Sequence, residues 1–287
     1  MRIAATRALP GPAWSELPDV VIGEPADAEI VILANEEIDV DALPSLRLIA
    51  NFGVGYDRID LDACKARGIA VTNTPGVLDA ATADLAFGLI LAARRRLVEG
   101  DRVVRDGRWG TPWSAGPFLG REVSGATLAV VGLGRIGSAV ARRAAAFDMR
   151  VLGVRSREGD LDAALREADV VSLHVPLTDA TRGLISRERL ALLRDDATLV
   201  NTARGAVVDE DALVEELASG RITAGLDVFV HEPHVPERLL GLPNVVLTPH
   251  IASATVETRA AMTRIVVDNV LAFLRGEPLL TPVLEAS

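Results

Sequence analysis

Short apolar runs alternate with helix-period segments along nearly the whole chain, and no other feature limits the possible folds as strongly. RIAAT (2–6), EIVILA (29–34), LRLIA (46–50) and IAVTN (69–73) form a first series, spaced by turns or by helical stretches such as DRIDLDACKARG. TLAVVG, RVLGV, DVVSLHV, TLVNTA, TAGLDVF and NVVLTPH form a second. Apolar strands separated by crossover helices predict parallel sheets covered by helices. Between the series lies ATADLAFGLILAARRRLVEGDRVVRDG, whose spacing predicts one long helix, followed by the Gly-, Pro- and Trp-rich RWGTPWSAGPFLGREVSG, which has no period. The chain therefore reads as two α/β units joined by a helix and an arm. A last helical pattern, TVETRAAMTRIVVDNVLAFLRG, stops at Gly276, a common C-terminal signal. Placed back against the first unit, it makes that unit discontinuous: 1–92 with 263–287, against 93–262 with the arm at 105–122.

Composition removes several classes of function. A length of 287 residues suits about two domains, and 49% apolar residues supply their cores. A formal charge of −10 opposes a sequence-independent hold on nucleic acid, which needs a basic surface. Lys65 is the only lysine, so Schiff-base chemistry is not expected. The single cysteine, Cys64, excludes an intrachain disulfide; it reads as a packed helix residue, with a thiol nucleophile as the alternative. No leader pattern and no apolar run near the roughly 20 residues of a membrane span stand out, so a cytoplasmic protein with no membrane partner is expected.

The sharpest local motif is GLGRIG, with Gly132, Gly134 and Gly137 around Arg135 and Ile136. Alone, such a motif is often no more than a glycine-rich turn. Here it directly follows the apolar TLAVV and opens the helix-forming SAVARRAAAF. In that setting the first glycine permits the tight turn, the second admits a pyrophosphate, and the third lets the helix pack closely. Dinucleotide binding is predicted. After the next strand, VLGVRSREGD places Arg155, Ser156 and Arg157 where an acid would meet the ribose of NAD. NADP(H) is therefore preferred and NAD(H) is the alternative, in which these arginines are solvated and Glu158 meets the ribose.

Arg204, Glu232 and His250 each stand just past an apolar run, in NTARGAVVDE, AGLDVFVHEP and LTPHIASAT. A guanidinium, a carboxylate and an imidazole at strand ends suit reduction of a 2-keto acid. The guanidinium clamps carboxylate and carbonyl, and the imidazole delivers a proton as negative charge grows on the oxygen. A carboxylate beside an imidazole favours its protonated form. Taken singly, a histidine next to a proline is more often structural, and Glu232 could be a solvated loop acid. His174 sits within an apolar run and reads as core, while His231 and His234 flank Pro233. No group of residues has metal-ligand spacing, so no metal is expected.

The motifs NFGVGYDRIDL, VTNTPGVLDAATADLAFGLIL, VVGLGRIG, LHVPLTDATRGLI, NTARGAVVDEDALV, AGLDVFVHEP and LTPHIASAT, in this order, resemble the D-isomer-specific 2-hydroxyacid dehydrogenase family over almost the whole chain. The RSR loop and the segment from HEPHVPERLL onward are similar to glyoxylate/hydroxypyruvate and hydroxyphenylpyruvate reductases. The resemblance implies a flavodoxin-like substrate domain, a Rossmann domain, and a homodimer clasped through the arm carrying Trp109 and Trp113. It casts Arg204 as the substrate anchor, His250 as the acid/base and Glu232 as its partner. It gives the substrate carboxylate to the backbone of Val54 and Gly55, where a tight turn is the plainer reading. Asp227 is placed near the nicotinamide, Pro176 and Thr202 along the cofactor groove, and Ala252 and Ser253 just after the acid/base. Ala252 replaces a glycine common in the family, and the N-terminal unit is short. Asn51, Phe52 and Tyr56 are the expected wall against the substrate's variable group. The implied activity is reduction of glyoxylate, hydroxypyruvate and aryl pyruvates to D-2-hydroxy acids. Alternatives on the same fold are an NAD-dependent D-2-hydroxyacid or phosphoglycerate dehydrogenase, a formate dehydrogenase, which typically has glutamine in place of Glu232, and a dinucleotide-sensing corepressor-like protein.

Overall fold

The computed structural model describes residues 1–23, 26–34, 36–110, 118–155 and 160–285. Two units emerge, Met1–Leu78 with Ser253–Ser287, and Asp79–Ala252. The first begins with β1 (Ile3–Ala5), β2 (Val20–Ile22), β3 (Ile30–Leu33), β4 (Leu48–Asn51), α1 (Leu61–Ala66) and β5 (Ala70–Thr72). The second comprises α2 (Asp79–Arg94), α3 (Leu97–Arg105), β6 (Thr127–Val131), α4 (Arg135–Ala145), β7 (Arg150–Val154), α5 (Leu161–Glu167) and β8 (Val170–Leu173). It continues with α6 (Arg187–Leu192), β9 (Thr198–Asn201), α7 (Glu210–Ala218), β10 (Thr223–Leu226), α8 (Glu237–Leu240) and β11 (Val245–Leu247). The chain then returns to the first unit with α9 (Val256–Arg275) and β12 (Pro282–Leu284).

In the first unit the strand order is β12-β5-β4-β3-β1-β2, parallel except for β12. Apart from that added strand, the order is flavodoxin-like. Every residue of β1, β3, β4 and β5 is buried, as continuous apolar runs in a parallel sheet require. Ala4, Val31, Ile49 and Val71 pack with Leu43, Leu46, Ile69 and Cys64 on one face. Cys64 is a core residue whose thiol is pushed up by burial, which disfavours the nucleophilic thiolate. Helix α9 packs on β4 and on the short turn at Pro12–Glu16, and Thr263 Oγ1 donates to the Pro10 carbonyl. Two strands go beyond the sequence reading. Both β2, exposed at Val21 and Ile22, and β12, which starts on a proline, are three-residue strands at the sheet's edges.

The second unit is a Rossmann sheet, β11-β10-β9-β8-β6-β7, with every pair parallel. One face packs Leu165, Leu173, Leu190, Leu199 and Ile222; the other packs Ala83, Phe87 and Ile90 of α2 and Val140 of α4 on Val130. The direction of strand progression reverses at β6, between β7 and β8, the place where such sheets bind ligands. The long helix expected across 81–107 is instead two helices, broken at Arg96, which has φ 54°. The cause is tertiary. The end of the arm crosses the break, where Arg121 N–H donates to the Arg94 carbonyl at 2.7 Å. Buried Arg94 returns bonds to the carbonyls of Glu122 (2.8 Å) and Asp169 (3.1 Å). Among the described residues no helix is long and apolar enough to cross a membrane.

Candidate active site

The glycine turn has the shape its sequence requires. Gly132, at φ 97°, leaves β6 with its N–H on the Val154 carbonyl (2.9 Å). A Cβ there would lie 2.6 Å from the His174 carbonyl oxygen, so the turn runs against the exit of β8. A Cβ at Gly137 would lie 1.9 Å from the Gly132 oxygen, which shows how closely α4 packs on the turn. At Gly134, none of the described residues comes within 4 Å of such an atom. It opens α4 without a side-chain cap, and the first helical turn holds no acid. Uncapped N–H groups and the positive end of an 11-residue helix thus meet an open surface. Arg135 is exposed, 3.6 Å from Asp79, and Ile136 is half-buried.

Neighbouring strand ends add to this surface. Beyond β8, the Pro176 carbonyl is held by Thr181 Oγ1 at 2.6 Å. Beyond β9, Thr202 Oγ1 is buried without a hydrogen-bond partner among the described residues, a polar atom suited to a ligand. The donor set and the glycine spacing fit a dinucleotide. Arg155 is exposed just past β7, while Ser156, Arg157 and Glu158 lie outside the described residues.

Arg204, Glu232 and His250 come from the loops after β9, β10 and β11. Asn201, the buried last residue of β9, shapes the first of these loops. Its Oδ1 accepts from Ala203 N–H (3.0 Å) and its Nδ2 donates to the Arg204 carbonyl (2.8 Å). Gly205 follows, and a Cβ on it would stand 2.1 Å from the Phe229 carbonyl carbon. The arginine loop therefore lies directly against the loop that carries Glu232. In that second loop His234 N–H closes a turn on the His231 carbonyl (2.8 Å), and Val230 N–H donates to Glu210 of α7 (3.0 Å). Glu232 Oε1 accepts from Phe229 N–H (3.1 Å), and its Oε2 meets His250 Nδ1 at 2.8 Å.

His250 takes the left-handed backbone region, φ 53°, which a non-glycine residue adopts only when its surroundings hold it there. Asp227 does the holding. Its carbonyl accepts His250 N–H (2.9 Å), and its fully buried carboxylate accepts from Thr248 Oγ1 (2.6 Å), Ile251 N–H (2.9 Å) and Ala252 N–H (2.9 Å). Burial pushes the Asp227 carboxyl above its usual range, and the three donors and His250 act against that. Ser253 begins the return segment and its carbonyl accepts Thr255 N–H at 3.0 Å. With Glu232 on Nδ1, the opposite ring nitrogen of His250 is the one left to exchange a proton with a ligand. His174 is half-buried just past β8 and not a core residue as its apolar run suggested: its Nε2 lies 2.8 Å from Ser172 Oγ, and burial lowers its pKa to about 4.

In the first unit, Val54 and Gly55 are half-buried in the loop after β4. The expected wall residues divide. Asn51 is buried, with its amide committed to the Gly53 and Gly55 carbonyls, and Phe52 is buried with the Arg259 guanidinium 5.3 Å from its ring. Only Tyr56 is exposed. The sequence reading passed over Asn201, Glu210 and Thr248, whose role is to shape the loops. A polar residue at a strand end or helix start was the one available signal.

Residues 87–252 match the family model described as D-isomer specific 2-hydroxyacid dehydrogenase, NAD binding domain. The glyoxylate reductase of Korarchaeum cryptofilum is 49% identical over 276 residues, covering 90% of this chain and 83% of its own. A crystal structure of a Thermus thermophilus protein superposes with a TM-score of 0.91 at 44% identity, over 99% of this chain and 100% of that one. The NADPH-dependent glyoxylate/hydroxypyruvate reductase of Sinorhizobium meliloti, crystallised with NADP and malonate, gives 0.88 at 39% identity, over 99% and 97%.

Proposed function

Because the chain belongs to the D-isomer-specific 2-hydroxyacid dehydrogenase family and is an oxidoreductase of that family, we propose that it reduces glyoxylate and hydroxypyruvate, and more broadly aryl pyruvates, to D-2-hydroxy acids with NADPH. The observation that carries the reading is the 2.8 Å pair of His250 and Glu232, built on a loop adjoining that of Arg204. In this reading the first unit is the substrate domain and the second holds the dinucleotide through Gly132, Gly134, Gly137, Arg155, Arg157, Pro176 and Thr202. When bound, the reduced nicotinamide supplies the hydride. His250 supplies the proton to the keto oxygen from the ring nitrogen that Glu232 leaves free, and Glu232 fixes the ring and balances its positive charge. Arg204 takes the carboxylate and polarises the carbonyl, a task for which its planar fork is suited. The family resemblance assigns the carboxylate to the Val54 and Gly55 amides as well. Asp227 keeps His250 in its left-handed conformation.

The preference for NADPH rests on Arg155 and Arg157 of the RSR sequence that follows β7, a pair of residue types suited to a 2′-phosphate. A homodimer is part of the same proposal. Leu97 and Val104 of α3, Trp109, Phe118 and Leu119 are all exposed apolar side chains around the arm, the sort of surface a partner covers. Trp113 lies outside the described residues. The single cysteine is free and buried, in keeping with a cytoplasmic enzyme. The deciding experiment is oxidation of NADPH and NADH against glyoxylate, hydroxypyruvate, phenylpyruvate and 4-hydroxyphenylpyruvate, with chiral chromatography of the products. D-products with NADPH are expected. No turnover of any of the four, or mainly L-product, would overturn the reading.

A further inference from the structure

We propose that the C-terminal segment sets the substrate-carboxylate loop, with Thr281 and Asn73 as positioning residues; this rests on the reading above that the Val54 and Gly55 amides take the carboxylate. Three successive carbonyls of that loop are tied back into the protein. The Gly53 carbonyl accepts from Thr74 N–H (3.0 Å) and from Asn51 Nδ2 (3.2 Å). The Val54 carbonyl accepts from Asn73 Nδ2 (3.0 Å), and the Gly55 carbonyl from Asn51 Nδ2 (2.7 Å). A trans peptide is planar, so its N–H points opposite to its C=O. Anchoring the Gly53 carbonyl therefore turns the Val54 N–H away from the protein, and anchoring the Val54 carbonyl does the same for the Gly55 N–H. Among the described residues neither amide donates elsewhere. Two adjacent N–H groups held outward in this way form a small anion-binding surface.

The anchor on the Val54 carbonyl is itself held from the far end of the chain. Thr281 Oγ1 donates to the Asn73 carbonyl at 2.7 Å, and Asn73 N–H donates to the Thr281 carbonyl at 3.3 Å. Thr281 Oγ1 in turn accepts from Asn269 Nδ2 on α9 (3.0 Å), while Asn269 Oδ1 accepts from Leu280 N–H (3.0 Å) and Thr281 N–H (3.2 Å). Asn269 is fully buried, so its amide has a defined orientation and fixes which way the Thr281 hydroxyl points. The bonds run without a gap from Asn269 through Thr281 and Asn73 to Val54. They join α9 to the loop after β4: Thr281 holds the Asn73 backbone, and the side-chain amide carried on that backbone reaches the Val54 carbonyl.

A group that only holds the carboxylate binds ground state and transition state alike, so loosening it raises KM and leaves kcat in place. Thr281→Val keeps the side chain's shape and removes both hydroxyl bonds. The expected result is a KM for glyoxylate about five- to tenfold higher, the size of one or two net hydrogen bonds. The inhibition constant of oxalate, a carboxylate that cannot be reduced, should rise in parallel, while kcat and the KM for NADPH stay within about twofold. Thr281→Ser restores wild-type values because the hydroxyl returns. Thr281→Ala removes the same bonds without adding bulk and carries the same expectation should the valine variant not fold. An active wild type whose Thr281→Val and Thr281→Ala variants keep the wild-type KM and oxalate constant overturns this inference alone. A loss falling equally on kcat and on NADPH, unrescued by serine, overturns it too, since that is the mark of a purely structural role. A wild-type protein that reduces no 2-keto acid removes the underlying reading as well.

Discussion

Gly205→Ala probes the joint between the arginine loop and the glutamate loop with the smallest available change. The added Cβ would stand 2.1 Å from the Phe229 carbonyl carbon, 2.4 Å from Val230 N and 2.5 Å from the Phe229 oxygen, all of them backbone atoms. Ordinary contact begins at 3.4 Å, so one loop must retreat by about 1.3 Å. Arg204 would move with its neighbour, or Glu232 would move with Phe229, whose N–H it accepts at 3.1 Å, and His250 with it. Overpacking of this kind costs about 1–3 kcal/mol of stability, and in a unit of this size each kcal/mol lowers Tm by about 2–4 °C. The catalytic effect should be larger, because displacing a reacting group by about 1 Å can cost a factor of about 100. Steady-state NADPH oxidation with glyoxylate should show kcat/KM down by about 100-fold, with NADPH still binding, since the glycine turn lies on β6 and α4. Gly241→Ala is the control: its Cβ meets nothing within 4 Å and its backbone is helical, so both activity and Tm should hold. A Gly205→Ala protein with wild-type kcat/KM would refute the claim that the two loops place each other.

Four further outcomes are expected. His250→Gln should lower kcat by about 10²–10⁴-fold with little effect on cofactor binding, and Glu232→Ala, which frees the ring at Nδ1, by a smaller factor; near-normal turnover of His250→Gln in stopped assays removes its role as proton donor. NADPH should give the higher kcat/KM and Arg155→Asp should reverse the order, whereas equal wild-type efficiencies would discard the 2′-phosphate argument. Sedimentation should find a dimer at micromolar concentration that Trp109→Ala weakens, and a monomer would contradict the exposed apolar patch on α3 and the arm. With its pKa lowered to about 4 from 6.5, His174 stays neutral while the unfolded chain takes up a proton, so stability falls as pH drops from 6.5 to 4, by up to about 3 kcal/mol. Asp227, raised by burial, acts in the opposite sense, so the check is the difference between wild type and His174→Asn in denaturant melts across that range; a flat difference refutes it.

What could be read from the sequence was what depends on residues close together along the chain. The glycine turn was legible because strand, turn and helix signals fall within one short segment, and Gly137 is needed for a contact inside that segment, with the Gly132 carbonyl; that Gly132 also clears the His174 carbonyl at the exit of β8 was not legible. The break at Arg96 was not legible, because Arg121 and Gly120, which cross it, come from the far end of the arm. Strands β2 and β12 are too short to show a period, and only pairing with β1 and β5 makes them strands. The roles of the asparagines were not legible for a related reason. Asn51 and Asn201 close strands and Asn73 follows one, places where such residues commonly begin turns, and nothing local says that their amides shape a backbone surface.

The three loops that carry Arg204, Glu232 and His250 meet because of register, which no local pattern reveals. β9, β10 and β11 are adjacent and parallel, so their C-terminal ends share one edge of the sheet. Leu226 pairs with Asn201 on one side and with Leu247 on the other, which sets the three ends level. Arg204 and His250 each lie three residues beyond that row. Glu232 lies further along, and its loop doubles back through the His231–His234 turn to bring the carboxylate within 2.8 Å of the imidazole. A slip of one residue between β10 and β11 would carry Asp227 away from Thr248, Ile251 and Ala252 and leave a buried carboxylate without donors, a state that costs several kcal/mol. Asp227 therefore does two things at once: it locks the register of the sheet's last pair and holds His250 in its strained backbone. The placement of the imidazole is thus secured by the same bonds that make the wrong register expensive.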